Sequence, residues 1–138
     1  DEYKDEIAPV KTFKNPLKNF YFKYIKKQNP YSLEAVEDLL SKFKKNITLL
    51  KGNSNEILKN IELEKVDFIF IDGGHEYNTV KNDLIHSHKL LKNKGTILCD
   101  DLNLSQALGV RQAIKEFSDE NKLKYEIIHE RFAKFDFN

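Results

Sequence analysis

The stretch that most constrains this chain is Val66-Asp67-Phe68-Ile69-Phe70-Ile71-Asp72, followed at once by Gly73-Gly74-His75-Glu76-Tyr77. A short, nearly continuous apolar run rich in β-branched and aromatic residues, closed by paired glycines, predicts a strand buried on both faces. Asp72 stands at its carboxyl end, where strand gives way to loop and helix and where open α/β sheets bind their ligands. Asp72 is therefore the first candidate functional residue.

The segments around it supply the elements of such a sheet. Glu76 to Leu91 carries apolar residues at helical spacing, with Val80, Leu84 and Leu91 toward the sheet, and Lys94-Gly95 stops it. Thr96 to Cys99 reads as a second buried strand, ending in Asp100-Asp101. Strand, helix, strand at this spacing is a right-handed βαβ crossover between parallel neighbours, which sets Asp72 and Asp100 side by side. After a loop at Leu102 to Leu108, Val110 to about Asn121 predicts a helix with Ala113, Ile114 and Phe117 inward. Lys124 to His129 and Arg131 to Phe137 alternate apolar and polar residues and predict an antiparallel hairpin.

Upstream, Leu33, Val36, Leu39, Leu40 and Phe43 mark one helical face, with Ser32 as N-cap and Pro30-Tyr31 at the boundary. Ile47 to Leu50 reads as a short strand ending in Lys51-Gly52-Asn53-Ser54, and Asn55 to Ile61 as a short helix. Residues 1–30 form a separate basic and aromatic segment, with six lysines and no acids between Lys11 and Lys27, interleaved with Phe13, Phe20, Tyr21, Phe22 and Tyr24. Lysines and rings together can track phosphates and stack on bases. The favoured reading is an amphipathic segment whose aromatics pack on the domain, since no nucleic-acid module accompanies them. The alternation in Phe20 to Ile25 also permits a strand.

Composition narrows the class of protein. At 138 residues the chain is long enough for one real core, and 40% hydrophobic with 33% charged residues is ordinary for a soluble globular protein. A formal net charge of +1 gives no global field for nucleic acid or membrane, and no apolar run reaches a membrane span. The lone cysteine, Cys99, cannot form an internal disulfide and reads as a small buried hydrophobe, with a cytoplasmic setting as the default.

Asp72, Asp100 and Asp101 converge on one crevice. Two readings stay open: carboxylates this close repel one another unless a cation such as Mg²⁺ sits among them, or some of them are spent capping turns and helix ends. His75, three residues beyond Asp72, is a candidate general base or a loop histidine on the surface. His86 and His88 fall on what reads as a solvated helix face. No Gly-x-Ser-x-Gly elbow or Cys/His cluster is present, so a serine hydrolase and a zinc site gain no support.

Phe68-Ile69-Phe70-Ile71-Asp72-Gly73-Gly74-His75-Glu76-Tyr77, then Asp83-Leu84, Leu90 through Asp101, and Gly109-Val110-Arg111-Gln112-Ala113, in that order, resemble the C-terminal half of class I S-adenosylmethionine-dependent methyltransferases. The resemblance is to their small-molecule O-methyltransferase group with an Ile-Asp-Gly-x-His signature, and covers about Tyr31 to Asn138. It implies a Rossmann-like, doubly wound α/β sheet, mostly parallel, ending in an antiparallel hairpin and lacking its first strands. Residues 31–138 would be this domain, truncated, since no glycine-rich turn precedes Tyr31 and only Asp1 or Glu2 could stand near the missing ribose-binding acid.

The implied activity is methyl transfer from S-adenosylmethionine to a hydroxyl of a small molecule, assisted by Mg²⁺ or another divalent cation. Asp72 would be metal ligand and base, Asp100 and Asp101 further ligands, and His75 a catalytic base. Gly52, Asn53 and Ser54, with Asp72 and Gly73, would contact the cofactor. A homo-oligomer is left open, with no membrane partner and nucleic acid disfavoured. The alternative is a non-catalytic binding module that keeps the fold without the cofactor loop.

Overall fold

Capping side chains decide where the helices of the first half begin. The computed structural model describes residues 15–27, 29 and 32–137, divided between two units, Asp1–Lys51 and Gly52–Asn138. In the first, the Asn15 side chain accepts the Leu17 N–H at 2.9 Å, with Pro16 in the first turn of α1 (Pro16–Phe20), where its missing donor costs nothing. α1 widens into a π-helical turn, Tyr21–Lys26, that ends on left-handed Lys27. The strand permitted at Phe20 to Ile25 does not form. Helical winding instead stacks Phe20 on Tyr24, four residues on, with ring centroids 5.0 Å apart.

Ser32 caps α2 (Leu33–Leu39) by accepting the Ala35 N–H at 3.2 Å. A 3₁₀ turn, Ser41–Phe43, follows. Ile47 to Leu50 is irregular chain rather than the expected strand, because it finds no ladder partner among the described residues. Asp1, Glu2, Pro30, Tyr31 and the basic segment before Asn15 lie outside the described residues. The boundary expected near residue 30 falls beside them, and the two units divide after Lys51.

The second unit holds the sheet. Asn53 caps α3 (Ser54–Asn60) through the Asn55 N–H at 2.9 Å. β1 (Val66–Ile71) leads to α4 (Tyr77–Leu90), which passes without a loop into β2 (Leu91–Cys99). α5 (Leu108–Asn121) and the hairpin of β3 (Glu126–Ile128) and β4 (Phe132–Asp136) complete it. The strand order is β1-β2-β4-β3. β1 and β2 are parallel, with Ile71 beside Cys99, while β4 runs antiparallel to both β2 and β3, with Ala133 beside Cys99. The α/β sheet with a parallel start and a terminal antiparallel hairpin is as the sequence predicts.

The core lies between sheet and helices. Val80 and Leu84 of α4, and Val110, Ala113, Ile114 and Phe117 of α5, close on Ile71, Ile97, Cys99, Ala133 and Phe135. β1 is not buried on both faces, however. Alternation sends Phe68 and Phe70 to the face opposite Ile69 and Ile71, where they are 55% and 48% exposed. His88 also departs from expectation: its ring packs against Phe137 at 4.7 Å and edge-on to Phe117 at 5.8 Å, instead of facing solvent. No described helix is long and apolar enough to cross a membrane.

Candidate active site at the strand ends

The parallel register of β1 and β2 brings the acidic residues together. The Asp100 N–H donates to the Ile71 carbonyl at 2.9 Å, continuing the ladder one step beyond the strands. Ile71 to His75, Val80, Val110 and Cys99 to Asp101 line a small recess there, with a free volume of about 10 Å³, room for one water. Asp72, Gly73, His75, Asp100 and Asp101 are thus gathered as the sequence pattern predicts. Gly52, Asn53 and Ser54 are elsewhere, at the start of α3, and do not line the recess.

Each carboxylate has a different environment. Asp100 has a side chain only 3% exposed, and the Arg131 guanidinium grips it with both prongs, Nε to Oδ1 at 2.5 Å and Nη2 to Oδ2 at 2.6 Å. Oδ1 also accepts the Asp101 N–H at 2.6 Å. The Arg131 bonds, helped by that backbone N–H, hold the Asp100 carboxyl below the usual carboxylate range although burial opposes them. Asp101 adopts a left-handed conformation, φ 62°, which aspartate tolerates better than most residues. Its Oδ2 lies 3.0 Å from His75 Nε2. Asp72 is exposed.

In the sequence Arg131 is marked only as the first residue of a strand arm. The signal was in the register: with Ala133 opposite Cys99, a residue two places before Ala133 must lie near Asp100 and Asp101. The placement is built, because the Arg131 carbonyl accepts the Leu102 N–H at 2.9 Å and the Glu130 carbonyl accepts from Asn103 Nδ2 at 2.6 Å. Together these bonds staple the loop after β2 to the hairpin turn.

A sequence profile of the methyltransferase-domain family matches residues 8–102, well over half of the chain. The chain belongs to this methyltransferase-domain family. The match begins upstream of Tyr31, so it takes in much of the basic and aromatic segment. Among solved structures, the chain is similar to the O-methyltransferase NovP, at 11% identity and a TM-score of 0.67, over 96% of this chain and 55% of that one. It is also similar to CalS11, a TDP-rhamnose 3'-O-methyltransferase of calicheamicin biosynthesis, at 18% identity and TM-score 0.57, over 81% of this chain and 52% of that one. A third is precorrin-6y C5,15-methyltransferase from Geobacter metallireducens, at 21% identity and TM-score 0.58, over 80% of this chain and 63% of that one. At these identities the likeness is one of fold, and the chain spans little more than half the length of the first two. No curated protein matches the sequence significantly.

Membership of the methyltransferase-domain family implies a sulfonium cofactor, and two observations suit one. The Asn55 amide, 4% exposed and adjoining the Gly52-Asn53-Ser54 turn, has no described partner for either its oxygen or its nitrogen, a donor and acceptor pair that matches the edge of an adenine. At the strand ends, exposed Asp72 and Gly73 offer a carboxylate and open backbone to a cationic group. The expected divalent site is a different matter. Among the described residues no group of three His, Cys, Asp or Glu side chains is placed to hold a metal ion. A hard cation needs carboxylate oxygens turned toward it, and those of Asp100 are committed to Arg131 and the Asp101 amide. The trio of Asp72, Asp100 and Asp101 expected to ligate Mg²⁺ does not fit it in this arrangement.

Packing behind the recess holds the His75 loop in place. Tyr77 donates its hydroxyl to Glu116, Gln112 Nε2 donates to the same carboxylate at 2.9 Å, and Lys81 pairs with Glu120 at 2.7 Å, so α4 and α5 are bound at their polar edge. The bond to Glu116 is the main reason the Tyr77 hydroxyl ionises less readily than usual. Gly109 is the tightest point: a Cβ there would lie 2.5 Å from the Tyr77 nitrogen and 2.7 Å from the His75 carbonyl oxygen. Backbone cannot swing aside as a side chain can. Gly109→Ala is therefore expected to cost about 1–3 kcal/mol and to move the His75 loop; urea unfolding together with the His75 imidazole NMR signals checks both, and an unchanged midpoint would contradict the packing.

Cys99, 1% exposed beneath the carboxylates, is kept as a thiol, its pKa pushed up to about 12 chiefly by burial and then by the charge of Asp100, Asp83, Asp101 and Asp72. The folded protein should resist iodoacetamide at pH 8 to about 9, where an ordinary thiol of pKa about 8.5 reacts readily, and should be alkylated once unfolded in urea. Mass spectrometry of the two samples reads the difference, and rapid native labelling would show that this part of the core opens.

Proposed function

We propose that the strand-end site carries methyl transfer from S-adenosylmethionine to the hydroxyl of a small molecule. The observation that supports this most is the His75–Asp101 pair at 3.0 Å, half-exposed at the carboxyl ends of β1 and β2 in a chain of the methyltransferase-domain family. Two of the similar structures act on oxygen, one of them on a sugar nucleotide, which supports a hydroxylated substrate.

A carboxylate on Nε2 assigns the proton to that nitrogen and leaves the lone pair on Nδ1. Nδ1 is then the atom that takes the proton of an attacking hydroxyl, while Asp101 steadies the ring and the imidazolium formed. When bound, S-adenosylmethionine supplies an electrophilic methyl carbon on a sulfonium. Asp72 and Gly73 would flank its charged end, and Gly52, Asn53, Ser54 and the Asn55 amide would hold its adenine. The hydroxyl oxygen would bond to that methyl carbon as the carbon–sulfur bond breaks, its electron pair returning to sulfur and the demethylated thioether leaving, while the hydroxyl proton goes to His75 Nδ1.

Calorimetric titration with S-adenosylmethionine and its demethylated product, followed by transfer of labelled methyl to a panel of phenols and sugars, tests the reading. One-to-one binding and labelled product are expected. A folded sample that binds neither compound overturns it and leaves the second reading, a binding module without catalysis, which is favoured by a recess that holds one water.

A further inference from the structure

The carboxylate cluster does contain a cation, but it is one of the chain's own. We propose that the Arg131 guanidinium is the resident counter-ion of the Asp72, Asp100 and Asp101 cluster, filling the role of a divalent metal, so that the strand-end site works without one. The second half of this statement rests on the methyl-transfer reading; the first half does not.

Three features carry it. The contact is a two-pronged fork on the most buried acid of the cluster, the arrangement in which arginine matches a carboxylate better than any point charge. Guanidinium does not lose its proton at any working pH, so the charge is permanent. The arginine is also held from behind: its carbonyl is bonded to Leu102, its N–H donates to the Ile128 carbonyl at 3.1 Å, and its guanidinium lies 5.2 Å from the Phe132 ring centroid. The remaining acids need no metal. Asp101 is paired with His75, and Asp72 is exposed to water that screens its charge.

A metal using Oδ1, which already takes two bonds, would have to displace Arg131, and one on Oδ2 would sit against the guanidinium bonded to that same oxygen. That exchange breaks two charge-assisted bonds and strips a hydrated ion. Asp100, the most buried of the three, is here already neutralised by Arg131.

The test is a titration of the full chain with Mn²⁺ at neutral pH, followed by calorimetry, alongside the Arg131 Nε–H signal by NMR during a Mg²⁺ titration. The intact protein should show no saturable site up to about 1 mM, weaker than ordinary all-oxygen sites, and the Nε–H signal should stay in place. Saturable one-to-one binding that Asp100→Asn abolishes, or loss of that signal on adding Mg²⁺, overturns the proposal. Arg131→Gln exposes the three acids and should bind Mn²⁺ at least tenfold more tightly than the parent; a folded variant still blind to Mn²⁺ also counts against it. Should the variant not fold, the titrations of the intact chain decide alone. S-adenosylmethionine binding measured with a chelator present separates the two claims. If it is absent with and without metal, methyl transfer fails while the counter-ion stands; if it appears only with metal, the metal-free site fails.

Discussion

Phe117→Ala is expected to lower the stability of this chain by about 3–5 kcal/mol. Phe117 is 1% exposed on α5, edge-on to Phe135 of β4 at 5.4 Å and to His88 of α4 at 5.8 Å, so one ring joins both helices to the sheet. Truncation removes its buried area and leaves a void, because strands fixed by ladder bonds on one side and helices fixed by the Glu116 and Glu120 bonds on the other cannot both move in. The loss is a large part of the roughly 5–15 kcal/mol that holds a domain together. Urea unfolding should show a lower midpoint at an unchanged slope. A loss below about 1 kcal/mol would mean that the site collapses without a cavity.

The second large effect is on turnover. His75→Ala should reduce the rate of methyl transfer by about 10²–10⁴, the range for a lost general base. A proton acceptor acts only as the bond forms, so the fall belongs in kcat, with KM for the hydroxylated substrate little changed. Asp101→Asn should also slow the reaction, because an amide can present either its oxygen or its N–H₂ to Nε2 and no longer dictates which ring nitrogen carries the proton. Steady-state rates of the two variants, with S-adenosylmethionine affinity measured as a control for folding, check this. A His75→Ala protein that keeps kcat within a few-fold would remove His75 from the chemistry.

The strands, helices and antiparallel ending of the second unit were legible because each has a local cause. Val66 to Ile71 is an apolar run closed by Asp72-Gly73-Gly74, Thr96 to Cys99 is one opened by Gly95 and closed by Asp100-Asp101, and α5 repeats its apolar residues at helical spacing. Ile47 to Leu50 misled because a short apolar run specifies burial rather than partner, and a strand exists only when another strand accepts its hydrogen bonds. Phe68 and Phe70 misled for a related reason: composition says that a residue can be buried, while coverage depends on which face the helices take. The acids of the site were placed correctly by parallel register alone. Arg131 was hidden, since its role depends on which neighbour the hairpin chooses, a non-local fact. Likewise a metal and an arginine answer the same repulsion among carboxylates, and nothing near Asp72 in sequence separates the two.

The ladder bond from the Asp100 N–H to Ile71, matched on the other side by the Leu102 N–H to Arg131, has a consequence for how the site comes apart. β2 is an interior strand, paired along both edges, and these two amides extend its pairing into the loop. Their exchange with solvent deuterium should be slow and should follow opening of the whole sheet, while amides on the outer edge of β1 exchange early. Asp100 and Arg131, which set the charge of the site, are thus wired to the slowest-opening part of the unit, so their pairing should be lost only when the sheet itself opens.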